Sequence, residues 1–228
     1  MISVIALLLA LLFPMLSRAQ KQARAVVCET NLRHWGIAFA AYQADSEGLF
    51  PETRDSKWVY LLRPYYGDSN DVLLCPMASK RTYRDYDPGD DYPYRHGDTF
   101  QAWGPLHYRR PWLYGSYAMN EWLSWAGRQA CPVLWTESTR RGADIPVLTE
   151  WVNTIVLPTD EREPPEGDGF AFWQPGLTMG ACINRHHDAV NGLFLDGSVR
   201  KIGLKELWTL KWSFDCDTAG AWTRRPTS

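Results

Sequence analysis

The 228-residue chain has no apolar run of twenty residues, no C-x-x-C pair, and no excess of charge of either sign. Its longest greasy stretch is the opening one, residues 1–16, apolar except for Ser3. As a helix that stretch reaches about 24 Å, whereas a bilayer core takes roughly 30 Å. No lysine or arginine precedes it, so the positive start of a secretory signal is missing. Basic residues number 24 against 26 acidic, for a net charge of -2, which leaves no electrostatic footprint for nucleic acid. Without C-x-x-C a ribbon-type zinc site is disfavoured. No H-E-x-x-H, G-x-S-x-G or phosphate-cradling glycine loop occurs either, which removes the commonest hydrolase and nucleotide signatures.

What the chain does have is a globular composition, 45% hydrophobic and 22% charged, sized for one domain plus an appendage. Twelve Trp and eleven Tyr are more than a core of this size requires. The cysteines, at 28, 75, 131, 182 and 216, are odd in number. Disulfides in an oxidising compartment would therefore leave at least one thiol unpaired within the chain.

After Arg18 the pattern turns amphipathic with no helix-stopping residue. Cys28, Leu32, Trp35, Phe39 and Tyr42 recur at spacings of four and three and form one stripe, with Arg24, Glu29, Arg33 and Gln43 off it. Gly48 and Pro51 are ordinary stop signals. The spacing predicts a single helix over residues 2–45, about 65 Å long, kinked at Pro14. Cleavage after Ser17-Arg18-Ala19 would cut this helix where its amphipathic half begins, so a signal peptide explains the pattern poorly.

The stretch 3–51, with Cys28, Asn31, Leu32, Arg33, Gly36, Ala38, Tyr42, Asp45, Gly48 and Pro51 at their spacings, resembles the N-terminal helix of bacterial prepilin-type proteins, the type II secretion pseudopilins and type IV pilins. A second match lies near the other end. Arg185-His186, nine intervening residues that include Gly192, then Asp196-Gly197 are similar to the H-x9-D-G signature of one prepilin-like subgroup. "LLCP" at 73–76 and "SYAMNEWL" at 116–123 also resemble stretches of that subgroup. The resemblance implies a pilin-like α+β fold: a long N-terminal helix on a small antiparallel sheet. It also implies a clipped leader, a methylated new N-terminus, and a glutamate that pairs with a neighbouring subunit. This sequence departs from the pattern by starting inside the apolar helix, so it reads as N-terminally truncated. Arg18, Lys21 and Arg24 would be held in the cytoplasm by the positive-inside rule, the reverse of the implied orientation.

In the head, "SKWVYLLRP" at 56–64 reads as a short helix or strand feeding a strand end, "DVLLCP" at 71–76. Cys28, on the core-facing stripe, would then meet Cys75. A bond between them would contribute about 4 kcal/mol by loop entropy, and two buried free thiols are the alternative. "NGLFLDGSVRKI" at 191–202 predicts a β-hairpin with Asp196-Gly197 as a two-residue turn. Residues 79–112 and 158–170 carry turn residues and no period, and read as loop insertions. "DYDPGDD" at 85–91 fails the EF-hand spacing and reads as a solvated acidic turn, not a calcium loop.

Three functions follow from these features. An enzyme would recruit His186, His187, Asp188 and Asp196 as metal ligands or acid–base groups, but consecutive residues fan apart on a strand or a helix. His186 is better read as structural, bonding the hairpin backbone or the Asp196 carboxylate. A glycan- or protein-binding module would display Trp103, Trp112, Trp122 and Trp125, with Tyr108, Tyr114 and Trp135 nearby, as an aromatic platform. The reading preferred is a structural pilin-like subunit without cofactor or catalysis. Residues 1–18 form a membrane-embedded segment, 19–48 its amphipathic continuation, and 49–228 the head. The resemblance implies as partners other pilin-like subunits through the helix, the inner-membrane assembly machinery, and prepilin peptidase if the leader exists. It implies a single-pass location in the bacterial inner membrane with the head outside.

Overall fold

The computed structural model describes residues 2–67, 69–78, 96–106, 113–124, 142–156 and 183–212. One helix, α1, runs from Ile2 to Asp45 with Pro14 inside it. Its end matches the stop signals: Gly48, at φ +77°, donates its N–H to the Gln43 carbonyl at 2.8 Å. The stripe faces the core as the spacing demands. Cys28, Leu32, Trp35 and Phe39 are buried and Tyr42 packs at the edge. Everything from Leu12 to Arg24, in contrast, is exposed. No helix of the described chain is long and apolar enough to cross a membrane. The single-pass anchor expected from the sequence is therefore not supported; sixteen apolar residues are too few, and charged Arg18, Lys21 and Arg24 follow at once.

Two short helices, α2 (Lys57–Leu61) and α3 (Arg63–Tyr66), follow α1. The "DVLLCP" segment is not a strand end. Asn70–Leu73 is a 3-10 turn leading into extended backbone, which α1 and Ser116 hold by hydrogen bonds. Trp35 Nε1 donates to the Val72 carbonyl at 2.9 Å, and Asn31 Nδ2 to the Leu74 carbonyl at 2.9 Å.

The strands are β1 (Trp103–Leu106), β2 (Leu113–Gly115), β3 (Tyr117–Asn120), β4 (Pro146–Glu150), β5 (Ile155–Val156), β6 (Ala189–Phe194) and β7 (Val199–Gly203). β1 and β2 form a two-stranded ribbon; the rest make one sheet in the order β5-β3-β4-β6-β7. The architecture is α+β as expected, but the main sheet is mixed, because β5 runs parallel to β3. β1 also lies inside the segment read as loop. All four of its residues are buried, and Gly104 and Pro105 mask any alternation.

Both faces of the sheet are covered, which is why β3, β4 and β6 are buried at every residue. The α1 stripe packs on one face against Tyr117, Met119, Leu148 and Leu193. Trp151, Trp208 and Trp212 pack on the other against Ala118, Val190, Phe194 and Ile202. A side chain added at Gly36 would come within 3.2 Å of Leu193 Cδ1, so the glycine lets α1 settle onto β6. The hairpin turn differs in length from its expectation. Phe194 and Ser198 pair across Leu195-Asp196-Gly197, a three-residue turn with Gly197 at φ +81°. Trp35→Ala is expected to cost about 3–5 kcal/mol, read as a lower denaturant midpoint. Ile37→Ala, on the outer face of the same helix and 67% exposed, should leave the midpoint nearly unchanged.

Candidate functional site

The two sequence signatures converge on one buried cluster beneath α1. Cys28 comes from the helix, Cys75 from the segment after the 3-10 turn, Glu150 from the end of β4, and His186 from the bend before β6. All four are buried, and one ligand atom from each lies within 4.8 Å of the others. His186 Nε2 is 3.4 Å from Cys75 Sγ and 3.1 Å from Glu150 Oε2. Cys28 Sγ lies 3.2 Å from the Tyr117 hydroxyl. Both cysteines are free thiols. The sequence brought the right two residues together, but they are not bonded.

The surroundings fix each member. Ser116 is the junction: its Oγ accepts from Cys75 N at 2.5 Å, its N donates to the Leu73 carbonyl, and its carbonyl accepts from Trp151 N at 2.9 Å. Arg185 is buried and spends its guanidinium on three carbonyls, those of Thr99, Ser116 and Asp98, at 2.8–2.9 Å. Its Nη1 is also 3.7 Å from Glu150 Oε1, with both side chains fully buried. Glu150 Oε2 accepts the Asn191 N–H at 2.8 Å.

Charge follows this arrangement. Burial alone would push Glu150 up, but the His186 hydrogen bond and the His186 and Arg185 charges outweigh it and hold the carboxyl below its ordinary value. Burial likewise opposes charging His186, yet its bonds to Cys75 and Glu150 and the Glu150 charge raise it to about 10. The Cys75 thiol is pushed up, chiefly by burial. Tyr117 is pushed up for the same first reason. At neutral pH the cluster is therefore an ionised carboxylate facing two cations, beside a protonated Cys75 thiol.

Other expectations fare differently. His186 does not reach Asp196; it bonds Glu150 and Cys75, and its N–H donates to the Ala189 carbonyl. Asp196 is exposed, and its carboxylate caps Ser198 N and Oγ at 2.9 and 2.6 Å. His187 and Asp188 are exposed at positive φ, turned out of the cluster. The aromatic platform does not form around Trp103, which is buried and donates Nε1–H to the Tyr117 carbonyl at 3.2 Å. Trp122 is half-buried against the second face. Trp112, Trp125, Tyr108 and Trp135 lie outside the described residues, as do the acidic turn at 85–91 and the insertion 158–170. No described Trp is exposed, because each plugs a segment onto the sheet or the helix.

Sequence reasoning missed Glu150. The available signal was its place as the lone charge in "PVLTEWV" at 146–152, since a charge in a doubly buried strand needs a partner. No family model, no curated protein and no solved structure matches the chain. Glu150→Ala strands the Arg185 charge and is expected to cost about 3–5 kcal/mol. Asp196→Ala should shift the melting temperature little; equal shifts for the two would contradict the assignment of Glu150 as the buried counterion.

Proposed function

We propose that the protein is a structural subunit of the pilin-like kind, whose α1 stem gathers with the stems of other copies. The observation that carries this reading is the division of one 44-residue helix into two halves. From Cys28 on, the helix serves the head; from Leu12 to Arg24 no residue is buried by the head. Leu12, Phe13, Met15 and Leu16 are more than half exposed, Phe13 at 65% and Met15 at 68%.

An isolated helix gains nothing from such a surface in water, whereas stacked stems bury it at roughly 25 cal/mol per Å² of apolar area. Arg18, Lys21, Gln22 and Arg24 begin where the apolar tip ends, so a bundle of tips would leave the charged collar solvated. The motif resemblance at both ends of the chain supports the same class, with the tips among those of neighbouring subunits. No step of this role requires catalysis.

A photo-reactive amino acid substituted for Phe13 in the full chain tests the reading. Irradiation is expected to give a ladder of covalent homo-oligomers, and Leu16→Arg should suppress it. A purely monomeric product, with the stem equally monomeric in analytical ultracentrifugation, would sink the proposal.

A further inference from the structure

The buried cluster has an arrangement that neither catalysis nor a plain ion pair explains. In a nucleophile–base–orienter triad the two ring nitrogens are divided between the two partners. Here one nitrogen, His186 Nε2, faces both Cys75 Sγ and the Glu150 carboxylate. Charged or neutral, that one nitrogen has a single proton or a single lone pair to offer, so a bond to one partner leaves the other poorly served. A cation at the centre serves all of them at once. Cys28, Cys75 and Glu150 are wholly buried and only His186 borders a groove, which leaves a substrate no approach to the sulfurs.

The geometry points to a structural zinc site formed by Cys28 Sγ, Cys75 Sγ, His186 Nε2 and one Glu150 carboxylate oxygen. Zinc–sulfur bonds near 2.3 Å and zinc–nitrogen or zinc–oxygen bonds near 2.0 Å place neighbouring tetrahedral ligands roughly 3.3–3.8 Å apart. Cys75 Sγ to His186 Nε2 is 3.4 Å, His186 Nε2 to Glu150 Oε1 is 3.2 Å, and no pair in the set exceeds 4.8 Å. Closing the widest pair takes a movement of about 1 Å.

The donor set of two sulfurs, an imidazole and a carboxylate suits zinc and disfavours the hard cations, which take oxygen alone. Charges also balance. Zinc and the Arg185 guanidinium together offset two thiolates and a carboxylate, and binding releases the protons of the two thiols and the imidazolium to solvent.

The atoms around the four donors are those a metal site needs to hold its ligands. Met77 N–H points at Cys75 Sγ at 3.4 Å, the Tyr117 hydroxyl at Cys28 Sγ, and Asn191 N–H and Arg185 at Glu150. A groove of about 640 Å³, lined by Lys21, Ala25, Met77, Thr99 and His187, reaches His186 and gives an ion a way in. With four protein ligands no position is left for water, so the metal would act as a staple joining α1, the Cys75 segment, β4 and the bend before β6. The inference does not depend on the stem assembling.

The test uses the full chain, purified without chelator from zinc-supplemented cells and analysed for metals after gel filtration. About one zinc per chain is expected, falling to background in Cys28→Ser and His186→Ala. Because a buried variant can fail to fold, the wild-type protein is also stripped and reloaded with cobalt(II). Thiolate-to-cobalt charge-transfer absorption and a tetrahedral visible band are expected, with a rise in melting temperature on loading. Zinc-free protein in which Cys28 and Cys75 are both found as unmodified thiols, a Cys28–Cys75 disulfide in the protein as isolated, or cobalt binding without the thiolate band would each overturn the proposal. Iron or copper at the same stoichiometry would overturn the choice of zinc.

Discussion

The descent of α1 onto β6 at Gly36 sets the rest of the head. With no side chain there, the helix backbone lies against Leu193, and that height decides what fits on either side. Toward the C-terminal end of α1 there is room for an aromatic cluster. Trp35 stands edge-on to Trp58 at 5.2 Å and beside Tyr66 at 4.9 Å, while Phe39 stacks on Trp58 at 6.4 Å. Two turns back along the helix, Cys28 reaches Tyr117 and the polar cluster. A helix riding higher would open a cavity under the aromatics and draw Cys28 away from β3.

Much of the helix could be read from spacing alone, because a 3.6-residue period over many turns is a strong signal and the stop at Gly48 is local chemistry. The same period put Cys28 on the core face, though the segment that brings Cys75 to it is a 3-10 turn and not the strand end expected. Glu150 was not legible, since nothing within its own strand reveals that His186 and Arg185 arrive from far along the sequence. The parallel pairing of β5 with β3 and the placement of Trp103 were likewise fixed by long-range packing. Trp103 looks like any other aromatic in a turn-rich segment until Gly115 is seen lying against its ring. The hairpin turn was right in place and wrong by one residue in length, a difference set by Gly197 at positive φ.

The polar and apolar parts of the head do different jobs. Tryptophans close both faces of the sheet, and where they carry an N–H into the interior they give it to a carbonyl: Trp35 to Val72, Trp58 to Thr154, Trp212 to Leu207. Arg185 does the reverse, bringing donors to three carbonyls, of which that of Ser116 is buried. It thereby ties residues 98–99 and the start of β3 to the bend that carries His186. The "RH" pair thus joins two tasks in adjacent residues, with the arginine organising backbone and the histidine facing the sulfurs.

The position of Cys28 along the helix has a mechanical consequence. It is the first fully buried residue among those of the helix whose burial is described, so it is the fulcrum of a lever formed by residues 2–27, about 39 Å long. Sideways load at the tip is multiplied at that point and delivered to the sulfur, the Tyr117 hydroxyl and whatever joins Cys28 to Cys75. The head would yield there first, by prising the helix from the sheet at its near end, well before the aromatics around Trp35 felt the strain.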